Sequence, residues 1–424
     1  MAKVGDKVEL IEKDGNSYKG ILMPSPKILK SRTVVVKLKS GYNIGIKKSK
    51  VKTLKILKKA KKKKLKKQKK LKKRKKLPTV SILSTGGTIS CKVDYTTGGV
   101  YPNLTARDFV DVVPKIRQYA NIKARQVLKV PSEDIAPKDW VKLAKEIKKE
   151  IDAGVDGIVV THGTDTMHYS AAAIGLMIQE LPVPVVFVGA QRSVDRGSSD
   201  AFPNLLSAVI AASKWDGAES VVCMHETPND TSNILIRGVK SRKMHTERRD
   251  AFRPINDLSL ARIGYNGGII GLSTYRRRSD SKPVLSTRLD KKVALIHVYP
   301  GMKPKVIDSL VSEGYHGIVI AGTGLGHVPS NLLRAIKRAI KKGVAVVMTS
   351  QCLYGRVHRF VYSPLRKLWK AGVIFGEDML PEVAYIKLMQ VLAKTKDLEK
   401  VRNLMEKDEA GEITESTAPE SFLV

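Results

Sequence analysis

The sequence predicts two α/β lobes with mostly parallel sheets, preceded by a small SH3-like β-barrel. Three observations carry that prediction. Residues 4 to 48 hold short alternating apolar runs between turn signals. From Thr79 onward, apolar runs of four to six residues alternate with helical stretches of 10 to 16, the pattern of a sheet covered on both faces. Between them, Lys50 to Lys76 contains 18 Lys or Arg and no acid, a composition no core tolerates.

The elements follow in chain order. In the first unit, residues 1–49, Val8 and Leu10 and then Val34, Val36 and Leu38 alternate, with turns at Asp14-Gly15-Asn16 and Ser40-Gly41-Tyr42-Asn43. Residues 50–77 are expected to be a lysine-rich linker, extended or partly helical through like-charge repulsion, closed by Pro78. The first lobe, 78–275, takes strands at Val80 to Ser84, Gly157 to Thr161, Pro184 to Gly189 and Ser220 to Met224, with helices at Pro137 to Ile151, Asp165 to Glu180 and Asp200 to Lys214. A connection at 276–291 leads to a smaller lobe, 292–395, with strands at Val293 to His297, Gly317 to Ile320 and Val344 to Met348 and helices at Lys303 to Ser312 and Pro329 to Lys341. Residues 396–424 begin helical and end in Ser, Thr, Pro and Glu, and the last dozen have the composition of a mobile tail.

The 424 residues carry a formal net charge of +37, of which the first 76 supply +25. Charge concentrated at one end reads as a handle for a polyanion, nucleic acid above all, against the plainer reading of a solubilising linker. Cys91, Cys223 and Cys352 are far apart and odd in number, so neither a disulfide scaffold nor a zinc site organises the fold. Met1 to Lys13 lacks the apolar stretch of a secretory signal, and no apolar run approaches the ~20 residues of a membrane span. A cytoplasmic protein is expected.

In open α/β sheets ligands sit at the carboxyl ends of the strands. After the first such strand comes Ser84-Thr85-Gly86-Gly87-Thr88-Ile89, where two glycines frame the Thr88 hydroxyl. After the Gly157 strand comes Thr161-His162-Gly163-Thr164-Asp165-Thr166-Met167, ahead of a helix that Thr164 or Asp165 could equally cap. Two hydroxyl-rich turns, one with a carboxylate, are equipped to surround a small polar substrate. A threonine hydroxyl needs a neighbouring base to become a nucleophile, and a lysine near Asp165 is a candidate that spacing cannot single out. No Gly-x-Ser-x-Gly elbow is present. Gly322-Thr323-Gly324-Leu325-Gly326 lacks the Lys-Ser/Thr of a phosphate loop and reads as a tight inter-domain turn. His162, His168, His225 and His245 show no metal spacing, and Arg276 to Arg278 reads as a solvated loop.

Thr85-Gly86-Gly87-Thr88-Ile89 and His162-Gly163-Thr164-Asp165-Thr166-Met167 resemble the signature motifs of the L-asparaginase family of amidohydrolases, over roughly residues 78 to 395. Further stretches are similar to one branch of it, the D subunits of the archaeal glutamyl-tRNA(Gln) amidotransferases: Gly20-Ile21-Leu22-Met23-Pro24, Arg242-Lys243-Met244-His245-Thr246, and Ala410-Gly411-Glu412-Ile413-Thr414-Glu415 among them. The resemblance implies a two-lobed asparaginase-like fold and a glutaminase or asparaginase half-reaction. It implies ammonia supply to an E subunit of the amidotransferase that uses ATP and magnesium to amidate glutamate on tRNA(Gln), a homodimer, and no cofactor or metal in the D subunit. By motif, Thr88 and Thr164 match the catalytic threonines, Asp165 the catalytic aspartate and Lys243 the catalytic lysine, whereas Lys240 matches no family position. Tyr95 matches the lid tyrosine and Ser132 the serine that holds the substrate α-carboxylate; Glu133 stands where many free bacterial asparaginases have Gln. The rival readings are a free-standing L-asparaginase with a basic extension and an inactive nucleic-acid-binding scaffold.

Overall fold

The computed structural model describes residues 2–23, 32–40, 42–59, 74–86, 92–93, 100–101, 106–192 and 198–422. The N-terminal unit is a five-stranded antiparallel sheet in the order Asn43–Lys47, Thr33–Leu38, Ser17–Met23, Lys7–Glu12, Val51–Lys58. Val8, Leu10, Leu22, Val36 and Ile46 come from four of its strands and pack into one cluster. Among the described residues only others of this unit join that cluster, so the sheet folds over on its own core. Its last strand, Val51–Lys58, lies inside the stretch read from sequence as linker. The far end of that stretch is docked: Asn121 accepts the Arg74 N–H at 2.8 Å and donates to the Arg74 and Leu77 carbonyls at 3.0 and 2.9 Å. Residues 60–73 lie outside the described residues.

The first lobe is built on an eight-stranded sheet in the order Ile269–Gly271, Ala261–Gly264, Ser232–Arg237, Ser220–His225, Val185–Val188, Gly157–Thr161, Thr79–Ser84, Asn121–Gln126. The five strands from Ser220–His225 to Asn121–Gln126 run parallel, and the other three add on antiparallel. The connections 226–231 and 265–268 are too short for a crossover helix, and 238–260 holds the paired strands Ser241–Lys243 and Phe252–Pro254 instead of one, which is why alternation of strand and helix did not announce these strands. The second lobe is a four-stranded parallel sheet, Val293–His297, Gly317–Gly322, Ala345–Ser350 and Ile374–Phe375.

Between the sheets lie the helices Met167–Met177 and Pro381–Lys394, which share one apolar core with both lobes. Ala171, Ala172, Ala173 and Leu176 are all fully buried, as a helix covered on both sides must be. The expected helix from Asp165 to Glu180 is shorter at both ends. Its first residues form a turn, and Ile178–Gln179 pairs with Val284–Leu285 of the connection between lobes. Arg276 and Arg277 in that connection are exposed, as expected of a solvated loop, but Arg278 is half-buried. Its guanidinium donates to the Trp215 carbonyl at 2.7 Å and the Ala212 carbonyl at 2.9 Å, tying the connection to the first lobe. The Gly322 turn closes on itself within the second lobe through a Thr323–His327 bridge, with Gly324 and Gly326 at positive φ. The C-terminal stretch begins with the expected helix, Leu398–Met405, and of the last dozen residues, expected to be a mobile tail, Ile413 and Thr414 are half-buried and Ser421 is buried.

Candidate active site

The carboxyl ends of four adjacent parallel strands converge. Asn121–Gln126 leads to Ser132, Thr79–Ser84 to Thr85-Gly86, Gly157–Thr161 to Thr164-Asp165, and Val185–Val188 to Gln191. The chain runs from the second of these to the first and then to the third, so the cleft lies where strand order reverses.

Two glycines set the close approaches. Gly86 has φ +121°, and a Cβ there would lie 2.7 Å from the Val130 carbonyl oxygen. The neighbouring Thr85 docks the same turn, its N–H and hydroxyl both donating to the Thr161 carbonyl at 3.0 and 3.1 Å. A Cβ on Gly163 would meet Ser132 Cβ and Oγ at 2.8 Å, so the glycine is what lets buried Ser132 sit against the Thr164-Asp165 turn. Thr166 Oγ1 fixes that approach by donating to the Ser132 carbonyl at 2.6 Å. Glu133 is exposed beside it. Thr88 and Tyr95 lie outside the described residues; Gly86 is the last described residue of the Thr88 turn.

Lys243 closes the cluster. It ends the strand Ser241–Lys243, which pairs with Phe252–Pro254. Its ammonium donates to Thr164 Oγ1 at 2.9 Å and to Asp165 Oδ1 at 2.7 Å. Neither Thr164 nor Asp165 caps the following helix: the N-cap is Thr166, and no side chain bonds the free N–H groups. The local reading of that turn as a capping device therefore gives way to a tertiary one. Spacing could not single out Lys243, because the ion pair spans 78 positions of sequence.

Gln191 is a functional candidate that the sequence motifs did not mark. Thr164 Oγ1 donates to its side-chain carbonyl at 3.1 Å, and the Asp200 carboxylate holds its loop by accepting the Gln191 and Arg192 N–H groups, each at 2.9 Å. The rule that exposed Thr88 and Thr164, attention to the residues just past a strand, applies equally at Val188. His162 is structural, as its spacing implied. It is fully buried, its ring nitrogens reach the Gly163 carbonyl at 2.7 Å and Ser170 Oγ at 2.8 Å, and burial lowers its pKa to about 4. Lys240 is not a bystander: it is fully buried and bonded to Asp378 at 2.7 Å. Among the described residues no group of three or more His, Cys, Asp or Glu could hold a metal ion, and no helix is long and apolar enough to cross a membrane.

Residues 79–275 match the family described as Asparaginase, N-terminal, residues 292–405 the Glutaminase/Asparaginase C-terminal domain, and residues 2–57 the GatD N-terminal domain. The glutamyl-tRNA(Gln) amidotransferase D subunit of Pyrococcus furiosus is 51% identical over 427 residues, covering 100% of this chain and 97% of that protein. The chain belongs to the asparaginase family, in its amidotransferase D branch. The corresponding D subunits of Methanopyrus kandleri and Sulfurisphaera tokodaii are 46% and 43% identical, over 97% and 99% of this chain and 91% and 93% of theirs. Among solved structures, the thermostable L-asparaginase from Thermococcus kodakarensis superposes with a TM-score of 0.72 at 33% identity, covering 80% of this chain and 100% of its own. The two-lobed asparaginase-like architecture and its small antiparallel β unit are thus shared with known proteins, as the motifs implied.

Proposed function

We propose that this chain hydrolyses the side-chain amide of glutamine, or of asparagine, and that the released ammonia is used by a partner, the E subunit of the amidotransferase, to convert Glu-tRNA(Gln) to Gln-tRNA(Gln). The observation that carries the reading is the Lys243–Thr164–Asp165 cluster in a chain aligned end to end with amidotransferase D subunits. Thr88 Oγ attacks the amide carbon, main-chain N–H groups of its glycine turn stabilise the oxyanion of the tetrahedral intermediate, and cleavage of the C–N bond, with a proton delivered to the nitrogen, expels ammonia and leaves an acyl-enzyme ester that water cleaves. One oxyanion donor is worth ~3 kcal/mol of barrier, so the turn matters as much as the nucleophile.

The geometry supports a proton-handling role for the second turn. Thr164 Oγ1 accepts from Lys243 and donates to Gln191, which leaves a hydroxyl oxygen one further lone pair for an incoming water. The Lys243 ammonium spends one donor on Thr164 and one on Asp165, leaving a third for the substrate or leaving group. Ser132 holds the substrate α-carboxylate, with Glu133 beside it and Tyr95 closing over the cleft. ATP and magnesium act at the partner; the chain pairs as a homodimer and works in the cytoplasm, where its tRNA is. A free-standing asparaginase accounts for residues 79–405 but gives the 2–57 unit no task. Ammonia release is measured from glutamine and asparagine, by the purified chain alone and with the E subunit and charged tRNA. The proposal expects release from at least one amide and Gln-tRNA(Gln) only with the E subunit; no ammonia under any condition contradicts it.

A further inference from the structure

We infer that the C-terminal segment 408–415 is a hook that positions Lys243, acting through Asp378 and Lys240. The inference rests on the proposed role of Lys243.

The hook is rigid by construction. The Asp408 carboxylate accepts the Gly411 and Ile413 N–H groups at 3.0 and 3.2 Å, and the Glu412 carboxylate accepts those of Glu409 and Ala410 at 3.1 and 2.7 Å. Gly411 is required there: φ is +86°, and a Cβ would meet Arg237 Cδ at 2.8 Å. The hook is anchored to the inter-lobe helix by an ion pair between Glu412 and Lys387 at 2.7 Å, both fully buried. Its end delivers Thr414 to Asp378. The Thr414 N–H reaches Asp378 Oδ1 at 3.0 Å and the hydroxyl reaches Oδ2 at 2.5 Å. The same Oδ2 accepts Lys240 Nζ at 2.7 Å.

Lys240 lies three residues before Lys243, with Arg242 between them bonded to both oxygens of buried Glu382 at 2.8 and 2.7 Å. Lys240 and Arg242 are thus gripped by two carboxylates of the second lobe, Asp378 and Glu382, whereas Lys243 reaches Thr164 and Asp165 of the first. The back of the strand is pinned from one lobe so that its last side chain is aimed in the other. Of the two pins, only the Asp378 one depends on the hook. This gives the Ala410 to Glu415 motif a task in catalysis although it touches no proposed substrate group.

The test uses the full-length chain, with kcat and KM for glutamine measured separately and thermal melts alongside. Thr414→Val keeps the volume and the N–H but loses the hydroxyl. It should lower kcat ~10-fold with KM within about twofold, because sub-ångström misplacement of a reacting group costs rate more than binding. Thr414→Ser should restore kcat to within about twofold of the parent. Replacing the anchor pair together, Lys240→Met with Asp378→Leu, strands no charge and should reproduce the kcat loss even if Thr414→Val folds poorly. Parent-like kcat in either variant, whatever happens to the melting temperature, overturns the inference and leaves a purely structural brace. Lys243→Met is the reference. Full activity there overturns the function reading itself, whereas its loss beside a parent-like Thr414→Val overturns only the hook.

Discussion

The lysines of the N-terminal unit and those of the two lobes obey different rules. Lys7, Lys19, Lys47, Lys52 and Lys55 stand exposed on the small sheet. The pair that Lys19 makes with Glu9, at 3.2 Å and with 65% of the lysine side chain exposed, adds little to stability. Lys240 and Lys387 are fully buried, each matched to a buried carboxylate at 2.7 Å. Lys243 stands between these extremes, 9% exposed and joined to an aspartate that is 66% exposed. Net charge is therefore a poor guide to which lysine matters. The exposed set contributes to the field around the molecule, the buried set is locked into the fold, and the half-open one is the lysine proposed for the chemistry.

The contrast can be broken most sharply at positions 243 and 240. Lys243→Met should cut ammonia release roughly 10²- to 10⁴-fold, the range of a lost acid–base group, while the thermal melt stays near the parent's. Comparable rates in a side-by-side assay would show that the lysine is misassigned. Lys240→Met should show itself mainly in stability, with only the ~10-fold rate loss of a positioning residue. It strands the buried Asp378 carboxylate and should remove roughly 3–5 kcal/mol of stability, read as a lower urea midpoint. An unchanged midpoint would put Lys240 with the exposed lysines after all.

Buried histidines sharpen the comparison through pH. Burial lowers the pKa of His162 to about 4 and of His168 to about 3. The unfolded chain takes up protons at these positions near pH 6.5 and the folded chain does not, so the unfolded state binds more protons and stability falls as pH drops. Each histidine should cost about 1.4 kcal/mol per pH unit below 6.5, until its folded pKa is reached. Urea midpoints at pH 7 and pH 5 check this; equal midpoints would mean that the rings are not held neutral. The smallest expected effect belongs to the lysine-rich stretch of the sequence. Replacing the ten lysines between 61 and 73 by glutamine should leave free amidase turnover unchanged. In the complex with the E subunit it should weaken tRNA binding and flatten its salt dependence, by about 0.7 to 0.9 in log–log slope for each phosphate no longer neutralised. Affinity and slope both unchanged would make the stretch a spacer.

How much of this was legible in the sequence depends on the range of each interaction. The strand Gly157–Thr161 was readable to the residue because every one of its positions is buried, and its short, β-branched run between turn signals is that of a strand covered on both faces. Thr164 and Asp165 were readable because they come directly after that strand. The features that stayed hidden are long-range: Lys243 meets Asp165 across 78 positions and Lys240 meets Asp378 across 138, and no periodicity encodes either pairing. The fifth strand of the small unit was masked by its own lysines. Val51–Lys58 is an edge strand whose Lys52, Lys55 and Lys58 face solvent, so composition argued for linker where pairing to Lys7–Glu12 made a strand.

The central claim is that Thr88 is the nucleophile of an amidase, and one substitution tests it most directly. Thr88→Ala removes one hydroxyl and one methyl group from the Gly86-Gly87-Thr88 motif, and the purified variant should match the parent in circular dichroism and thermal melt. The mechanism predicts that its ammonia release from glutamine and asparagine falls to the assay background. Substantial amidase activity in that folded variant contradicts the assignment.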